Sequence, residues 1–350
     1  MITTRDDVDL FSALADERAA LAAHLSRHCH ETLGEAAGYL TETSAYVLAA
    51  PGKLLRPLLL LDACRAAGGD PERVLPAALG TEYGHVASLI HDDIMDGDEL
   101  RRGRETVHVR FGLNEALLTG DLLIFQTFLA YTQCAERGVE AERVLAAIRT
   151  LSLTCIAMCR GQALEASIAS RLDTSPETYL EMIRLKTASL CRAVTRIGAR
   201  LGGASEEMVT ALGRYGLHLG TAFQIMDDVL SYDGSSAAFG KPRLSDLRNR
   251  RVTLPIIYAL RDGTETLRRR IEAIFTGDEA GDERDSDRSD GTEAYARLVE
   301  TLHSAGGLAR ARGLAQRYTK LAQRQLDLLP YTAARERLRA LATVFATRDH

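Results

Sequence analysis

Helical spacing over long segments is the feature that most restricts the fold of this chain. Apolar residues recur at intervals of three and four, alternation of β-branched residues is scarce, and the 350 residues include only 8 prolines. Two of the prolines follow good capping residues, at Asp70–Pro71 and Ser175–Pro176, and each pair predicts the start of a helix. The pattern predicts an all-α protein with helices at residues 6–28, 33–49, 53–67, 72–96, 114–136, 140–169, 176–201, 206–232, 252–261, 264–275, 292–328 and 331–346.

Two of the predicted helices contain largely apolar runs, at residues 77–90 and 211–230. Helices of that kind are typical of the centre of a bundle, so we expect a helical bundle with buried middle helices. We interpret residues 1–350 as a single domain. Within it, the acidic segment at residues 277–292 has almost no large apolar residue and predicts a flexible loop.

The charge balance and the cysteines restrict the partners and the compartment. The formal net charge of −5 provides no basic field for nucleic acid, so we expect none to bind. The first residues, MITTRDDVDLFSAL, lack the order of a signal peptide, and no uninterrupted apolar run reaches the roughly 18 residues of a spanning helix. Six scattered cysteines do not suggest a disulfide framework. We therefore expect a cytoplasmic protein without a membrane span.

Two clusters of aspartates stand at the ends of apolar helices. Asp92, Asp93 and Asp96 lie in HDDIMDG, and Asp227 and Asp228 lie in FQIMDDVLSYDG. Carboxylates at a helix C-terminus oppose the helix dipole, and those one turn apart repel each other. Mg²⁺ would relieve both penalties, because it takes oxygen ligands and commonly joins one or two carboxylates to substrate phosphates. The clusters predict a magnesium site; the alternative is two solvent-exposed acidic helix ends.

Basic residues precede and follow these clusters along the chain. Arginine offers phosphoryl groups a planar fork and lysine offers them a point charge. Together with metal ions, such a set of cations suits a polyanionic substrate. The set comprises Lys53, Arg56, Arg101, Arg102, Lys186, Lys241, Arg250 and Arg251.

The motifs between Gly52 and Ala259 resemble those of a known family in their order and spacing. They are GKLLRP, SLIHDDIMDGDELRRGRETVH, GDLL, GQ, KTASL, FQIMDDVLSYDG, FGKPRLSDL and TLP. The family is that of the trans-isoprenyl diphosphate synthases, or polyprenyl synthetases, and the chain is most similar to its geranylgeranyl and polyprenyl members. The first aspartate motif with its arginine pair is highly specific, whereas GQ or TLP alone would carry no information.

The resemblance implies an isoprenoid synthase-type bundle of about a dozen helices around a deep central cavity, usually in a homodimer. The two aspartate motifs would face each other across the mouth of the cavity. Asp92, Asp96 and Asp227 would bind three Mg²⁺ ions, and Asp93 and Asp228 would support them. The catalytic residues implied are Asp92, Asp93, Asp96, Lys186, Asp227, Asp228 and Lys241.

The resemblance also implies two diphosphate substrates. The metal ions would withdraw the diphosphate of an allylic prenyl substrate, the double bond of isopentenyl diphosphate would attack the resulting carbocation, and a proton would be lost. The implied ligands of the allylic diphosphate are Arg101, Lys186, Thr187, Gln224 and Lys241. Those of isopentenyl diphosphate are Lys53, Arg56, His85 and Arg102.

Three positions depart from the family pattern. Ser231 replaces the third aspartate of the second motif, Leu54 replaces a basic residue after Lys53, and Arg251 keeps the charge of the lysine that usually precedes TLP and counts as a substrate-binding residue. These departures leave two alternatives open. One is a class I terpene cyclase on the same fold, and the other is a non-catalytic subunit that regulates a prenyl synthase.

Product length is expected to depend on the helix that leads into Asp92. In short-chain relatives, aromatic residues four and five positions before the first aspartate close the cavity. Here these positions are Ser88 and Ala87, with Gly84 one turn further, so the resemblance implies products of about C20 or longer, with geranylgeranyl diphosphate favoured. Tyr83 is either a lower floor or ordinary core, and Ala87→Phe is expected to shorten the product.

Overall fold

The computed structural model describes residues 5–33, 38–50, 52–169, 171–232, 251–276 and 290–346, and it confirms the all-α prediction. Nearly all of the described backbone is helical. The helices are α1 Arg5–Leu33, α2 Tyr39–Leu48, α3 Leu55–Ala66, α4 Pro71–Asp96, α5 Val107–Arg110, α6 Leu113–Glu136, α7 Ala141–Ile168, α8 Pro176–Ile183, a π-helix Arg184–Ala188, α9 Ser189–Leu201, α10 Glu206–Leu230, α11 Leu254–Asp262, α12 Glu265–Thr276, α13 Asp290–Ser304, α14 Gly307–Leu326 and α15 Ala333–Ala346.

Four features depart from the predicted elements. A small antiparallel hairpin, β1 Leu100–Arg101 and β2 Arg104–Glu105, follows α4. The helix predicted at 176–201 contains the π-helix, and the one predicted at 292–328 is two helices separated at Gly306, whose φ of 71° ends the first. The predicted acidic loop at 277–292 overlaps α13 in its last three residues, and residues 277–289 lie outside the described part of the chain.

The chain divides into two compact units, each formed from three segments. Unit 1 comprises residues 1–152, 193–213 and 326–340, and unit 2 comprises residues 153–192, 214–325 and 341–350. In unit 1, α4 packs most extensively against α6, because glycines allow close approach. A Cβ on Gly80 would lie 2.9 Å from the carbonyl oxygen of Thr127, and one on Gly84 would lie 3.2 Å from the hydroxyl of the same threonine.

Four charged side chains of unit 1 join α1, α3 and α15. Asp62 on α3 has a fully buried side chain; its Oδ1 lies 2.8 Å from Arg65 Nη1 and 3.1 Å from Arg337 Nε. Glu17 on α1 accepts hydrogen bonds from both arginines, at 2.6 Å in the case of Arg65. Burial raises the pKa of Asp62, whereas the two arginines lower the pKa of Glu17 against the opposing effect of its burial. The two acids and two arginines balance, as a buried ionic cluster requires.

The core of unit 2 is a cluster of apolar side chains from α8, α10, α11, α12, α13 and α14. Ile183 and Ile225 are among its most deeply buried members, together with Leu254 and Ile256 at the start of α11. Each such side chain contributes roughly 1.5–3 kcal/mol when it leaves water. This cluster holds the end of α8, just before the π-helix with the predicted lysine–threonine pair, and the end of α10, which carries the second aspartate motif.

α7 is, within the residues that the structure describes, the one helix long and apolar enough to cross a membrane by length and composition. Its apolar window has a mean hydropathy of 1.4 and is 28% buried. The prediction that no such segment exists relied on uninterrupted apolar runs. That criterion passed over α7, in which arginines interrupt the apolar residues.

Candidate active site

The first aspartate motif forms the last turn of α4, as its sequence predicts. Asp70 caps the start of the helix by accepting a hydrogen bond from the backbone nitrogen of Glu72, and Gly97, with a φ of 64°, ends it. Asp92 and Asp96 lie on a half-buried face one turn apart, whereas Asp93 is buried. The accessible pair therefore presents carboxylate oxygens to the outside of the helix, the donors that Mg²⁺ prefers.

Asp93 pairs with Arg101 inside the protein. Nε and Nη2 of Arg101 both lie 2.5 Å from Oδ1 of Asp93. The pair explains how three aspartates can lie at one helix end, because Arg101 neutralises one of the three negative charges. The arginine was predicted to hold the allylic diphosphate; in the structure it holds the second aspartate of the motif.

The hairpin that follows α4 presents Arg101 and Arg102. Its two-residue turn consists of Arg102 and Gly103, with φ values of 53° and 74°. Two consecutive positive φ values define the primed type of turn that matches the twist of a hairpin. Arginine rarely adopts this conformation, and such local strain is often found at functional sites.

Arg102 reaches the connection between α2 and α3, next to the predicted ligand Lys53. Its Nη1 donates a hydrogen bond to the carbonyl oxygen of Ala50 at 2.5 Å, and its guanidinium covers Gly52, where a Cβ would lie 2.5 Å from Nη2. Lys53 itself is exposed, and Leu54 adopts a left-handed conformation, with a φ of 49°, just before α3. The structure thus brings Arg102 to the segment that carries Lys53.

A second cationic contact joins α3 to the middle of α4. Nη1 of Arg56 lies 3.0 Å from Nε2 of His85. Burial and the neighbouring arginines, Arg56 above all, lower the pKa of His85 well below its ordinary value. The imidazole is therefore neutral and can accept a hydrogen bond from the guanidinium.

Glu82, one turn before His85, is a residue that the sequence analysis missed. Its side chain is almost fully buried, and burial raises the pKa of the carboxyl group to about 7, although Arg56 and Arg102 favour its ionised form. An acidic residue three positions before His85 in an otherwise apolar helix was the available signal. Arg56, His85 and Arg102, three predicted ligands of isopentenyl diphosphate, therefore lie in one electrostatic environment with Glu82.

In unit 2, the π-helix carries the predicted pair Lys186 and Thr187. Gly161 on α7 allows the close approach of this segment, because a Cβ there would lie 2.4 Å from the backbone nitrogen of Lys186. Nζ of Lys186 lies 2.5 Å from Oε2 of Glu165, also on α7, and both side chains are about one-fifth exposed. Short π-helical segments are frequent at functional sites, since they reorient side chains within a helix.

The second aspartate motif is connected to Thr187 by a chain of hydrogen bonds. The hydroxyl of Thr187 donates to Oε1 of Gln224 at 2.9 Å, and Nε2 of Gln224 donates to Oδ1 of Asp228 at 3.0 Å. The hydroxyl of Tyr179, which the sequence analysis missed, donates to the other carboxylate oxygen of Asp228. Asp228 is buried and Asp227 is half-buried, so Asp228 resembles Asp93 in being held by protein groups.

Ser231, which stands where the family carries a third aspartate, makes local contacts. Its hydroxyl donates to the carbonyl oxygen of Asp227 at 3.1 Å, and its own carbonyl accepts a hydrogen bond from Tyr295. Among the remaining predicted ligands, Arg251 is half-buried, whereas Lys241 lies outside the described residues.

The four predicted chain-length residues fall on two faces of α4. Ala87 and Tyr83 are completely buried, and the hydroxyl of Tyr83 lies 2.9 Å from Nδ1 of His28 and donates to the carbonyl oxygen of Leu25 at 3.1 Å. Gly84 and Ser88 are half-buried, on the same side of the helix as His85 and Asp92. The anchoring of Tyr83 to α1 favours its interpretation as a core residue.

The predicted metal ligands of the first motif fit a magnesium site in chemistry and accessibility. In the described ranges, no three histidine, cysteine, aspartate or glutamate side chains converge on one point that could hold a metal ion. Protein groups of one unit would therefore supply only part of the coordination shell of Mg²⁺. Water and substrate phosphate commonly complete such a shell. The two motifs lie in different units, and their facing each other stays a prediction.

Comparisons with known proteins place these features in a family. The sequence profile described as Polyprenyl synthetase matches residues 37–289. A short chain isoprenyl diphosphate synthase from Methanothermobacter thermautotrophicus is 36% identical over 350 residues, which cover 100% of both chains.

Two solved structures are similar over almost the whole chain. The geranylgeranyl pyrophosphate synthetase from Pyrococcus horikoshii has a TM-score of 0.86 and 32% identity, and the match covers 99% of this chain and 100% of that one. The polyprenyl synthase from Caulobacter crescentus, in a complex with calcium and isoprenyl diphosphate, has a TM-score of 0.84 and 29% identity, with 96% and 97% coverage. The chain therefore belongs to the polyprenyl synthetase family, the trans-isoprenyl diphosphate synthases, and is a prenyltransferase.

Proposed function

We propose that this prenyltransferase condenses isopentenyl diphosphate with an allylic prenyl diphosphate in a Mg²⁺-dependent chain elongation, with a trans-prenyl diphosphate of about C20 or longer as the product. The single observation that carries the proposal is the different environment of the aspartates in the first motif. Asp92 and Asp96 remain accessible on one helix face, while Asp93 is tied to Arg101. A solvated acidic helix end would not need this arrangement.

Asp92, Asp96 and, on the second motif, Asp227 are the proposed holders of three Mg²⁺ ions. When bound, the ions supply charge stabilisation to the departing diphosphate. Asp93 and Asp228 orient the motifs instead, because each is buried and bonded to protein donors. The calcium in the related Caulobacter structure supports the use of a divalent cation by this family.

The proposed site for isopentenyl diphosphate is the cationic group around Arg56, Arg102 and Lys53, with His85 as a neutral neighbour. Burial, and then the positive charges of Arg56 and Arg102, lower the pKa of His85, so both arginines lie close enough to the imidazole to act on one bound anion. A diphosphate would complete the charge balance of this group. Burial raises the pKa of Glu82 to about 7, so its carboxyl group offsets this positive charge only when it is ionised.

The proposed site for the allylic diphosphate includes Lys186, Thr187 and Gln224, together with Arg101 and Lys241. The ammonium group of Lys186 is paired with Glu165, and a bound diphosphate would compete with that carboxylate for it. Glu165 therefore keeps the lysine in place rather than leaving a buried charge alone. Arg251 is assigned to the same substrate-binding set on its charge.

The accessible face of α4 supports a long product. It runs from Asp92 back to Ser88, whose small side chain leaves room for an apolar chain, while the space beside Gly84, one turn further, is taken by Thr127 of α6. Geranylgeranyl diphosphate is the product we favour, in agreement with the name of the related Pyrococcus enzyme.

We further propose a homodimer in which α6 is covered by a second copy of the chain. Leu118, Leu122, Phe125 and Leu129 recur along one face of α6; Phe125 is 71% exposed, and Leu118 and Leu129 are almost half exposed. The opposite face of α6 is already buried against α4. A solvent-facing apolar stripe of this kind is typical of a subunit interface.

We also propose a cytoplasmic protein without a membrane span. The charged residues Arg149 and Arg160 within α7 support this proposal.

The test is incubation of the purified protein with Mg²⁺, isopentenyl diphosphate and each allylic primer, followed by mass spectrometry of the products. We expect elongation to about C20, and a loss of about 10²-fold or more in kcat/KM for Asp92→Asn and Asp96→Asn. The exposed aspartate of the surface pair with Arg171, changed as Asp173→Asn, is the control and should not affect the rate.

Three outcomes would contradict the proposal. A hydrocarbon released from an allylic diphosphate without isopentenyl diphosphate would indicate a terpene cyclase. No turnover with any primer would indicate a non-catalytic subunit. A rate that does not depend on added Mg²⁺ after chelation would remove the metal from the proposal.

A further inference from the structure

The geometry points to Tyr46 as a positioning residue that holds the arginine hairpin, residues 100–105, in place for diphosphate binding. Tyr46 lies on α2, outside the aspartate motifs, and is half-buried. The inference rests on the proposed function, since the hairpin carries the predicted ligands Arg101 and Arg102.

The ring of Tyr46 is contacted by two arginines that have no predicted substrate. Cζ of Arg104 lies 4.0 Å and Cζ of Arg110 lies 4.6 Å from the ring centroid. Phe111 packs edge-on against the same ring, with the centroids 5.2 Å apart and an interplanar angle of 76°. Guanidinium groups at this distance are attracted by the aromatic face, and they tie the ring to both ends of the segment that follows the turn.

The polar groups of Tyr46 bind the hairpin backbone as well. Its hydroxyl donates to the carbonyl oxygen of Glu105 at 2.9 Å, and its own carbonyl accepts a hydrogen bond from Nη1 of Arg104 at 3.3 Å. Glu105 is paired with Leu100 in the hairpin register. The hydroxyl therefore fixes the second strand directly and the first strand through it.

A hairpin with two residues in each strand needs such a support. Two-stranded hairpins are marginal in water, and this one has Arg102 in a left-handed conformation at its turn. Two further side-chain attachments of the hairpin are Arg101 to Asp93 and Arg102 to Ala50. Both use the arginines that would have to bind diphosphate. The contacts of Tyr46 use different arginines, so they persist when substrate binds.

The test compares Tyr46→Leu with Tyr46→Phe. The leucine variant loses the aromatic face and the hydroxyl, and KM for isopentenyl diphosphate should rise about 10- to 100-fold, as expected for a ligand displaced by about 1 Å. The phenylalanine variant keeps the cation–π contacts and should recover most of the wild-type value. KM for the allylic substrate should change less, because Arg101 keeps its ion pair with Asp93.

A second measurement does not depend on activity. Amide hydrogen exchange in peptides covering residues 98–111 of the substrate-free protein should become faster in Tyr46→Leu, while the thermal midpoint stays close to that of the wild type. The matched control is Tyr331→Leu, since Tyr331 is 80% exposed and contacts only the guanidinium of Arg335, at 5.5 Å, among the ring contacts of the described residues. It should leave both measurements unchanged.

Wild-type exchange in residues 98–111 of Tyr46→Leu would overturn the inference. So would a rise in KM that is equal for both substrates and accompanied by a large loss of thermal stability, because that result indicates a general structural role. If the wild-type protein did not use isopentenyl diphosphate at all, the proposed function would be wrong. Faster amide exchange of the hairpin in Tyr46→Leu would still show that Tyr46 holds the hairpin in place.

Discussion

Gly161→Ala tests how closely α7 must approach the π-helix that carries Lys186. An added Cβ would lie 2.4 Å from the backbone nitrogen of Lys186 and 2.7 Å from its Cα, whereas ordinary contacts begin at 3.4 Å. The two segments would have to separate by about 1 Å, and backbone atoms cannot turn away as a flexible side chain does. Overpacking of this kind typically costs about 1–3 kcal/mol of stability.

The effect on catalysis should be larger than the effect on stability suggests. A displacement of about 1 Å at a residue that positions substrate can cost on the order of 10²-fold, or about 2.7 kcal/mol of transition-state stabilisation. We therefore expect kcat/KM of Gly161→Ala to fall about 100-fold in initial-rate assays with labelled isopentenyl diphosphate. Denaturation should show the accompanying loss of about 1–3 kcal/mol in the free energy of unfolding.

Gly313→Ala is the matched control, because it makes the same chemical change inside α14. No atom lies within 4 Å of the added Cβ there. Alanine is the better helix former, so the control should gain about 0.5–1 kcal/mol and keep the wild-type rate. If Gly161→Ala had the kcat/KM and stability of wild type, the close approach of α7 would not matter and the reasoning would be refuted.

Three further predictions concern product length, the buried ionic cluster and pH. Ser88→Phe should shorten the product, since Ser88 lies on the accessible face of α4. The full burial of Ala87 revises the expectation drawn from the sequence, so Ala87→Phe should mainly lower the thermal midpoint, and products of equal length from the two variants would contradict this. Asp62→Ala should cost about 3–5 kcal/mol in denaturation, whereas Asp173→Ala on the surface should have little effect on stability. Similar losses from the two variants would be inconsistent with a buried cluster. Glu82 keeps its proton up to about pH 7 in the folded protein but releases it near pH 4.5 in the unfolded chain. The free energy of unfolding should therefore fall as the pH rises between these values. If the pH dependence of stability of Glu82→Gln were parallel to that of wild type, this prediction would be wrong.

The helices were predictable from sequence wherever a cap and a stop stand at their ends. α4 was expected at 72–96 and runs from Pro71 to Asp96, because Asp70 and Gly97 mark its limits. The break at Gly306 was not predicted, since a single glycine within a helical pattern is often tolerated. The hairpin was missed for a related reason: its turn is Arg102–Gly103, and the usual signal for a primed turn is asparagine or aspartate before the glycine.

The residues of the candidate site were easier to predict than their partners. The aspartate motifs and the basic residues identify themselves by type and spacing along the chain. The contacts of Asp93 with Arg101, Lys186 with Glu165 and Asp228 with Tyr179 were not predictable, because each depends on how separate elements pack. The π-helix has no sequence signature that distinguishes it from the α-helices on either side.

The ionic cluster around Asp62 has a consequence for synthesis on the ribosome. Arg337 completes the cluster, yet it follows Glu17 by 320 positions. At about 5–20 residues per second, translation delivers that arginine last, some tens of seconds after α3 has emerged. Until then, Arg65 is the only arginine of the cluster that has been synthesised to balance Asp62 and Glu17. The complete ionic cluster, and with it the packing of residues 326–340 into unit 1, can therefore form only after nearly the whole polypeptide has been made.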